Sequence, residues 1–236
     1  MIKTIGPRLS WLIVPASEPE EISLACKAGP DVIVLDLVEF VTEKNKSRAR
    51  ETLQHSIRQV LSAGYEVFVQ IDPENACTDL QAAVWPGVNG VVISRAESAR
   101  KITEIEAQAA RLEAERGVVP HAIQTVIALE TAKGNLAGFE IAQASTRLFG
   151  LTLGRADLIM DLRPEPSGEF HLMQYLMQRL IVIARALDVR PIGAWWSASD
   201  RGLLSTAEST TRAAARGRAI GFEGAMCLCP HQVPAL

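Results

Sequence analysis

The sequence is poor in the residues that announce several protein classes. Only 4 cysteines occur in 236 residues, with no disulfide framework in their spacing, so a small stapled secreted domain is excluded. No apolar run reaches the roughly 18 residues that cross a bilayer. The basic start and the apolar stretch Trp11 to Val14 superficially suggest a leader, but about 7 to 15 apolar residues are needed. A strand is the better reading, and the expected location is cytoplasmic. No Lys/Arg block forms a footprint for a polyanion, and the net charge is −3, so nucleic acid is not an expected partner. There is neither a G-x-G-x-x-G nor a Walker A pattern, which argues against an open nucleotide-binding sheet. The four histidines show no metal-box or triad spacing. Cys227 and Cys229, two apart in an apolar run, read either as a metal or redox pair or, preferably, as small core thiols.

What is present is hydrophobic material, 48% of the chain against 22% charged, in a regular alternation. Short β-branched runs at 10–15, 31–37, 66–72, 90–95, 122–130, 147–153, 190–194 and 224–229 predict eight strands. Little polar alternation within them implies parallel strands covered by helices. Between them lie amphipathic segments. Ala49, Leu53, Ile57, Val60 and Leu61 form one helical stripe; Ala99, Ile102, Ile105, Ala109 and Leu112 form another. Gly64 and Gly117 stand where these helices should stop. Trp85-Pro86-Gly87 breaks the short third unit, and 172–187 is apolar nearly all round, implying cover on more than one side. The expectation is a single α/β domain over residues 1–236, a (β/α)8 TIM barrel.

Such barrels carry their sites at the carboxyl ends of the strands. Those ends read Asp36, Gln70 and Asp72, Ser94 and Arg95, Glu130, Asp157, then Trp195 and Trp196. Glu130 and Asp157 close adjacent strands about 4.8 Å apart, within reach of one ion. Two carboxylates, with water and substrate oxygens, are the usual manner of holding Mg²⁺. The competing reading has Asp157 capping its helix and Glu130 paired with Arg155. The stretch 163–168 is long enough for a lid, although an ordinary connection is the simpler reading. His231 lies beyond the eighth strand, near the rim.

Several motifs resemble one family. They are Leu-Ser-Trp-Leu-Ile-Val-Pro at 9–15, Asp36-Leu37 with Lys46 and Ala49-Arg50, Ala96-Glu97-Ser98, and Leu129-Glu130-Thr131-Ala132. Leu153-Gly154-Arg155-Ala156-Asp157-Leu158 and Gly221-Phe222-Glu223-Gly224 leading to Pro230-His231-Gln232 complete the set. Together they resemble the citrate lyase beta-subunit-like family, among the Mg-dependent aldolases and acyl-CoA lyases. The resemblance implies Mg²⁺ on Glu130 and Asp157 and cleavage of a 3-hydroxyacyl-CoA thioester (citramalyl-, citryl- or malyl-CoA-like) to acetyl-CoA and a 2-oxo acid. It also implies a homo-oligomer, trimer or hexamer, while the lack of a spanning apolar run gives no reason to expect a membrane partner. Asp36 would orient water or the substrate carboxylate, Gln70 and Arg95 would face the thioester, and Ser10, Arg95 and Trp195 would contact the coenzyme A part.

The chain departs from the family pattern at informative places. An Arg-Ile-Asn motif reads Gln70-Ile71-Asp72, Asp-Leu-Glu-Asp reads Asp36-Leu37-Val38-Glu39, Pro-Lys reads Ser94-Arg95, and Ile-His-Pro reads Leu228-Cys229-Pro230. The usual C-terminal helical extension is expected to be lacking after Leu236. Loss of a guanidinium at a developing enolate costs on the order of 3 kcal/mol. Two alternatives therefore stand beside the lyase: a non-catalytic metal- and metabolite-binding homologue or lyase-complex subunit, and an aldolase on free 2-oxo acids.

Overall fold

A computed structural model describes residues 7–194 and 204–236. Eight parallel strands are hydrogen-bonded in the order β7-β6-β5-β4-β3-β2-β1-β8. They are β1 Ser10–Pro15, β2 Val32–Asp36, β3 Glu66–Ile71, β4 Gly90–Ile93, β5 Gln124–Ala128, β6 Leu148–Thr152, β7 Arg190–Ile192 and β8 Ala225–Cys227. Each falls inside the run that its apolar residues predict. The ring is completed across β7 and β8 by two backbone bonds, Glu223 N–H to the Pro191 carbonyl (2.9 Å) and Gly193 N–H to the Gly224 carbonyl (2.6 Å). The result is the expected (β/α)8 TIM barrel, nearly closed.

Helices α1 Pro19–Ala28, α2 Lys46–Ser62, α3 Ala76–Ala83, α4 Ala99–Glu115, α5 Ala132–Leu136 and α6 Gly138–Gln143 lie between successive strands in the chain. Helices α7 Arg155–Leu162, α8 Pro166–Ala186 and α9 Ala207–Ile220 complete the set described. Gly64 (φ 84°) and Gly117 (φ 65°) follow α2 and α4 in the left-handed region, as their places at the helix ends require. Trp85 and Pro86 do end the third unit, since α3 stops at Ala83. No described helix is long and apolar enough to cross a membrane.

Period-two alternation sorts the strand residues into two apolar layers. Leu12, Ile33, Leu35, Val67 and Val69 face outward and join Ile22, Leu53, Ile57, Leu80 and Ile105 of the helices. Trp11, Val32, Val34, Phe68, Val92, Val126 and Ile192 fill the barrel interior. Trp11 packs edge-on to Phe68 at 4.8 Å and tilted on Phe149 at 5.7 Å. The Arg8 guanidinium lies 4.4 Å from the Phe149 ring centre and 2.6 Å from Glu66, beside the amino ends of the strands. That end is plugged.

Residues 163–168 are a short connection, the simpler of the two sequence readings: Arg163 caps α7 in the left-handed region and α8 begins at Pro166. Helix α8 buries Leu180 and Ala184 and packs Met173 and Leu176 with Leu158 of α7, but Tyr175 (56%) and Val182 (67%) remain exposed. Its apolar surface is thus covered on more than one side, as the sequence implies, with a further side open. Cys227 is fully buried on β8, with its thiol pushed up to about 12 by burial, which fits the core-thiol reading.

Candidate metal centre at the strand ends

Glu130 sits two residues past β5 and is 5% exposed. Its Oε2 accepts the backbone N–H of Arg95 at 2.8 Å. Arg95 holds a left-handed backbone (φ 42°), a conformation that costs an L residue about 1 kcal/mol. The turn carrying it is fixed by the Ser94 N–H on the Ile71 carbonyl and the Ala96 N–H on the Ala128 carbonyl. On its other side Glu130 meets the turn between β6 and α7. A Cβ on Gly154 would lie 2.3 Å from Glu130 Oε1, so only glycine permits this approach. Three residues on, in the first turn of α7, stands Asp157.

The third acid comes from the β2–α2 loop. Asp36, fully buried at the end of β2, accepts the backbone N–H groups of Val38 (2.9 Å), Glu39 (3.0 Å) and Phe40 (2.6 Å). This wraps the loop around one carboxylate and turns Glu39 into the barrel mouth. There the Gln70 Nε2 donates to Glu39 Oε1 at 3.0 Å and to Ser94 Oγ at 2.9 Å. Glu39, Glu130 and Asp157 each offer a carboxylate oxygen, and these oxygens lie within 4.8 Å of one another.

Three acids so close oppose each other's ionisation. Burial, then the Glu39 and Asp157 charges, raise Glu130 to about 8, against a lowering by the Arg95 N–H. Glu39 is exposed as a residue, but burial of its carboxylate in the mouth, then the Asp157 and Asp36 charges, raise it to about 7. Asp36 is raised by burial and opposed by the three N–H groups it accepts. An all-oxygen set of mutually repelling carboxylates is what a hard divalent cation relieves.

The acids line a cavity of about 420 Å³ at the carboxyl ends of the strands. Gln70, Thr152 and Arg155 line it too, and so do Ile13, Val92, Met173, Met177, Ile192, Phe222, Met226 and Leu228. Arg155 pairs with Glu169 of α8 at 2.6 Å, whereas the competing sequence reading placed it on Glu130.

The candidate residues read from the sequence divide accordingly. Glu130, Asp157 and Gln70 meet in the cavity, and Arg95 borders it through its backbone contact with Glu130. The Arg95 side chain is about half exposed and reaches Asp72 at 3.3 Å. Asp36 lies beneath the loop as its anchor, both oxygens occupied by backbone N–H groups, so it does not face the substrate space. Gln70 has both amide hydrogens engaged, which removes it as a donor to a developing enolate. Ser10 belongs to the opposite end: it opens β1, and its hydroxyl is bonded to Asp31 at 3.0 Å. Trp195 falls outside the described residues. His231 bonds the Ser205 carbonyl at 2.8 Å and ties down the C-terminal turn. The residue missing from the sequence reading is Glu39, whose signal was the shifted acid in Asp36-Leu37-Val38-Glu39.

Known proteins resemble this chain over nearly its whole length. Residues 9–230 match the family model described as HpcH/HpaI aldolase/citrate lyase. Citrate lyase subunit beta of Escherichia coli (strain K12) is 27% identical over 234 residues, 97% of this chain and 75% of that protein. The (3S)-malyl-CoA thioesterase of Cereibacter sphaeroides is 26% identical over 235 residues, 96% of this chain and 75% of its own. Among solved structures, the CitE protein of Mycobacterium tuberculosis in complex with magnesium and pyruvate has a TM-score of 0.76 at 24% identity. The match covers 99% of this chain and 90% of that one.

Proposed function

The chain belongs to the HpcH/HpaI aldolase/citrate lyase family, and on that premise we propose that it is a Mg²⁺-dependent carbon–carbon lyase of 3-hydroxyacyl-CoA thioesters. The observation that carries this reading is the convergence of Glu39, Glu130 and Asp157 at the mouth of the barrel. Mg²⁺ held by these three would supply Lewis acidity to a hydroxyl and a carboxylate of the substrate. Magnesium in the CitE complex supports the metal, and the malyl-CoA named for the Cereibacter thioesterase supports a coenzyme A thioester as substrate.

In the cleavage, the 3-hydroxyl loses its proton and its carbon becomes the carbonyl of a 2-oxo acid. The bond to the thioester α-carbon breaks, its electron pair passes to the thioester enolate, and a proton on that carbon completes acetyl-CoA. The residues of this chain divide the remaining work. Asp36 shapes the loop, and Gln70 with Ser94 holds Glu39 in place. Arg95 is the cation bordering the acids; its single 3.3 Å contact with Asp72 leaves its guanidinium available to the enolate. Leu136, Phe139, Met160, Tyr175 and Val182, exposed on α5 to α8, are consistent with burial in a homo-oligomer.

The test is release of acetyl-CoA and 2-oxo acid from citramalyl-, citryl- and malyl-CoA, with Mg²⁺ and with EDTA. Metal-dependent cleavage that Glu130→Ala and Asp157→Ala each abolish is expected. Failure to cleave any of them, in protein that binds Mg²⁺, overturns the lyase. It would favour a metabolite-binding homologue, a second reading that the engaged Gln70 amide supports. Cleavage of free hydroxy acids without coenzyme A would instead make it an aldolase.

A further inference from the structure

The cavity is not evenly lined. Going around the barrel, its acids and amides come from the arc of β2 to β6: Glu39, Gln70, Glu130 and Asp157. The opposite arc, β7, β8 and β1, presents Ile192, Phe222, Met226, Leu228 and Ile13, with Met177 of α8 beside them. Among the described residues that line the cavity, one polar side chain stands on that arc, Gln232, and it is tied into the C-terminal turn. Its Oε1 accepts the N–H groups of Leu228 and Cys229, and its Nε2 donates to Ser205 Oγ at 2.7 Å. The Gly193 N–H there is held by Gly224. Among the described residues, the cavity's lining cation is Arg155, already joined to Glu169 through Nε and Nη2.

We infer that the oxo-acid half of the substrate bears an uncharged alkyl group, seated against this apolar arc, and not a second carboxylate. The inference rests on the lyase reading and narrows its substrate class. A second carboxylate on that arc would lose its water, face three acids and meet no cation there among the described residues, since Arg95 follows β4 on the opposite side of the barrel. The arc also fits the end of a molecule, not a chain passing through. Below Ile13, Val92 and Met226 the barrel is filled by Trp11, Phe68 and Phe149, so a thioester arm entering there would have no exit. Two methionines, Met177 and Met226, give the wall an adaptable surface that selects against charge more than for one alkyl shape.

The experiment is a calorimetric titration of the full chain with Mg²⁺, followed, at saturating Mg²⁺, by pyruvate, 2-oxobutanoate, 4-methyl-2-oxopentanoate and oxaloacetate. The expected order places both longer alkyl acids above pyruvate, by about fourfold for one buried methylene, and oxaloacetate weakest. Met226→Lys, or Leu228→Lys if the first does not fold by circular dichroism, places a cation on the arc and should reverse the preference toward oxaloacetate. Mg²⁺ bound normally but oxaloacetate equal to or tighter than 2-oxobutanoate overturns the inference and leaves the metal reading standing. No Mg²⁺ binding overturns both, and the first titration alone reveals it.

Discussion

Gln70 does a different job from the one its position suggests. Seen as a replacement for arginine it is a weaker donor, but its two amide hydrogens hold Glu39 and Ser94. Gln70→Ala should therefore weaken Mg²⁺ or Mn²⁺ binding about 10- to 100-fold, as loss of a supporting partner does at other metal sites, measurable by calorimetry. Ionisation gives a second expectation. Glu130 is raised from 4.5 to about 8, so the stability linked to its bound proton is full below 4.5 and is lost as pH rises through about 8. Melting temperature in EDTA should fall across that window, the increment from Mg²⁺ should grow, and Glu130→Gln should flatten both trends. A Glu130→Gln profile as steep as the unmodified one would reject the assignment. Glu130 was legible in the sequence because it closes an apolar run, and Asp157 because it stands just beyond the next one, past Gly154. Glu39 was not, because its placement depends on Asp36 gathering three N–H groups, and Ser10 was misplaced because it starts its strand.

At the scale of elements, the turns at the strand ends hold the geometry. Gly154→Ala would put a methyl carbon against the Glu130 carboxylate. It should reduce metal affinity more than it reduces the melting temperature, since the clash displaces one side chain at the cavity and leaves the strands intact. Away from the site, Arg147 pairs with Glu113 through 2.6 and 2.8 Å bonds, both side chains nearly fully buried, and Glu113 also accepts the His121 and Ile123 N–H groups. Arg147→Ala should cost about 3–5 kcal/mol in urea unfolding, because it strands a buried carboxylate. Strands were readable from apolar runs alone, with ends shifted by a few residues where the last residue turns out of the ladder, as Arg95 does. Cover on α8 was harder to read, because helical periodicity gives the apolar width of a helix and not what lies against it.

For the whole molecule, eight parallel strands specify the barrel, and the sequence displays all eight. The uneven closure is less visible. Strands β7 and β8 have three residues each, and Pro191 in β7 brings a carbonyl but no N–H to its ladder. Among the described residues, two backbone bonds close the ring there. Hydrogen exchange should accordingly find the Gly193 and Glu223 amides among the least protected in the barrel wall, well ahead of Val34 or Val69 in β2 and β3.

That seam opens onto the cavity. Ile192 and Gly193 stand on one side of the join, Phe222 and Met226 on the other, and all four line the same space. A ligand wedged among them acts as a keystone, carrying load between two edges that the masonry itself barely joins. Occupancy and roundness of the cylinder are then one equilibrium: whatever fills the mouth tightens the wall, and a slackened wall lowers the affinity of the mouth.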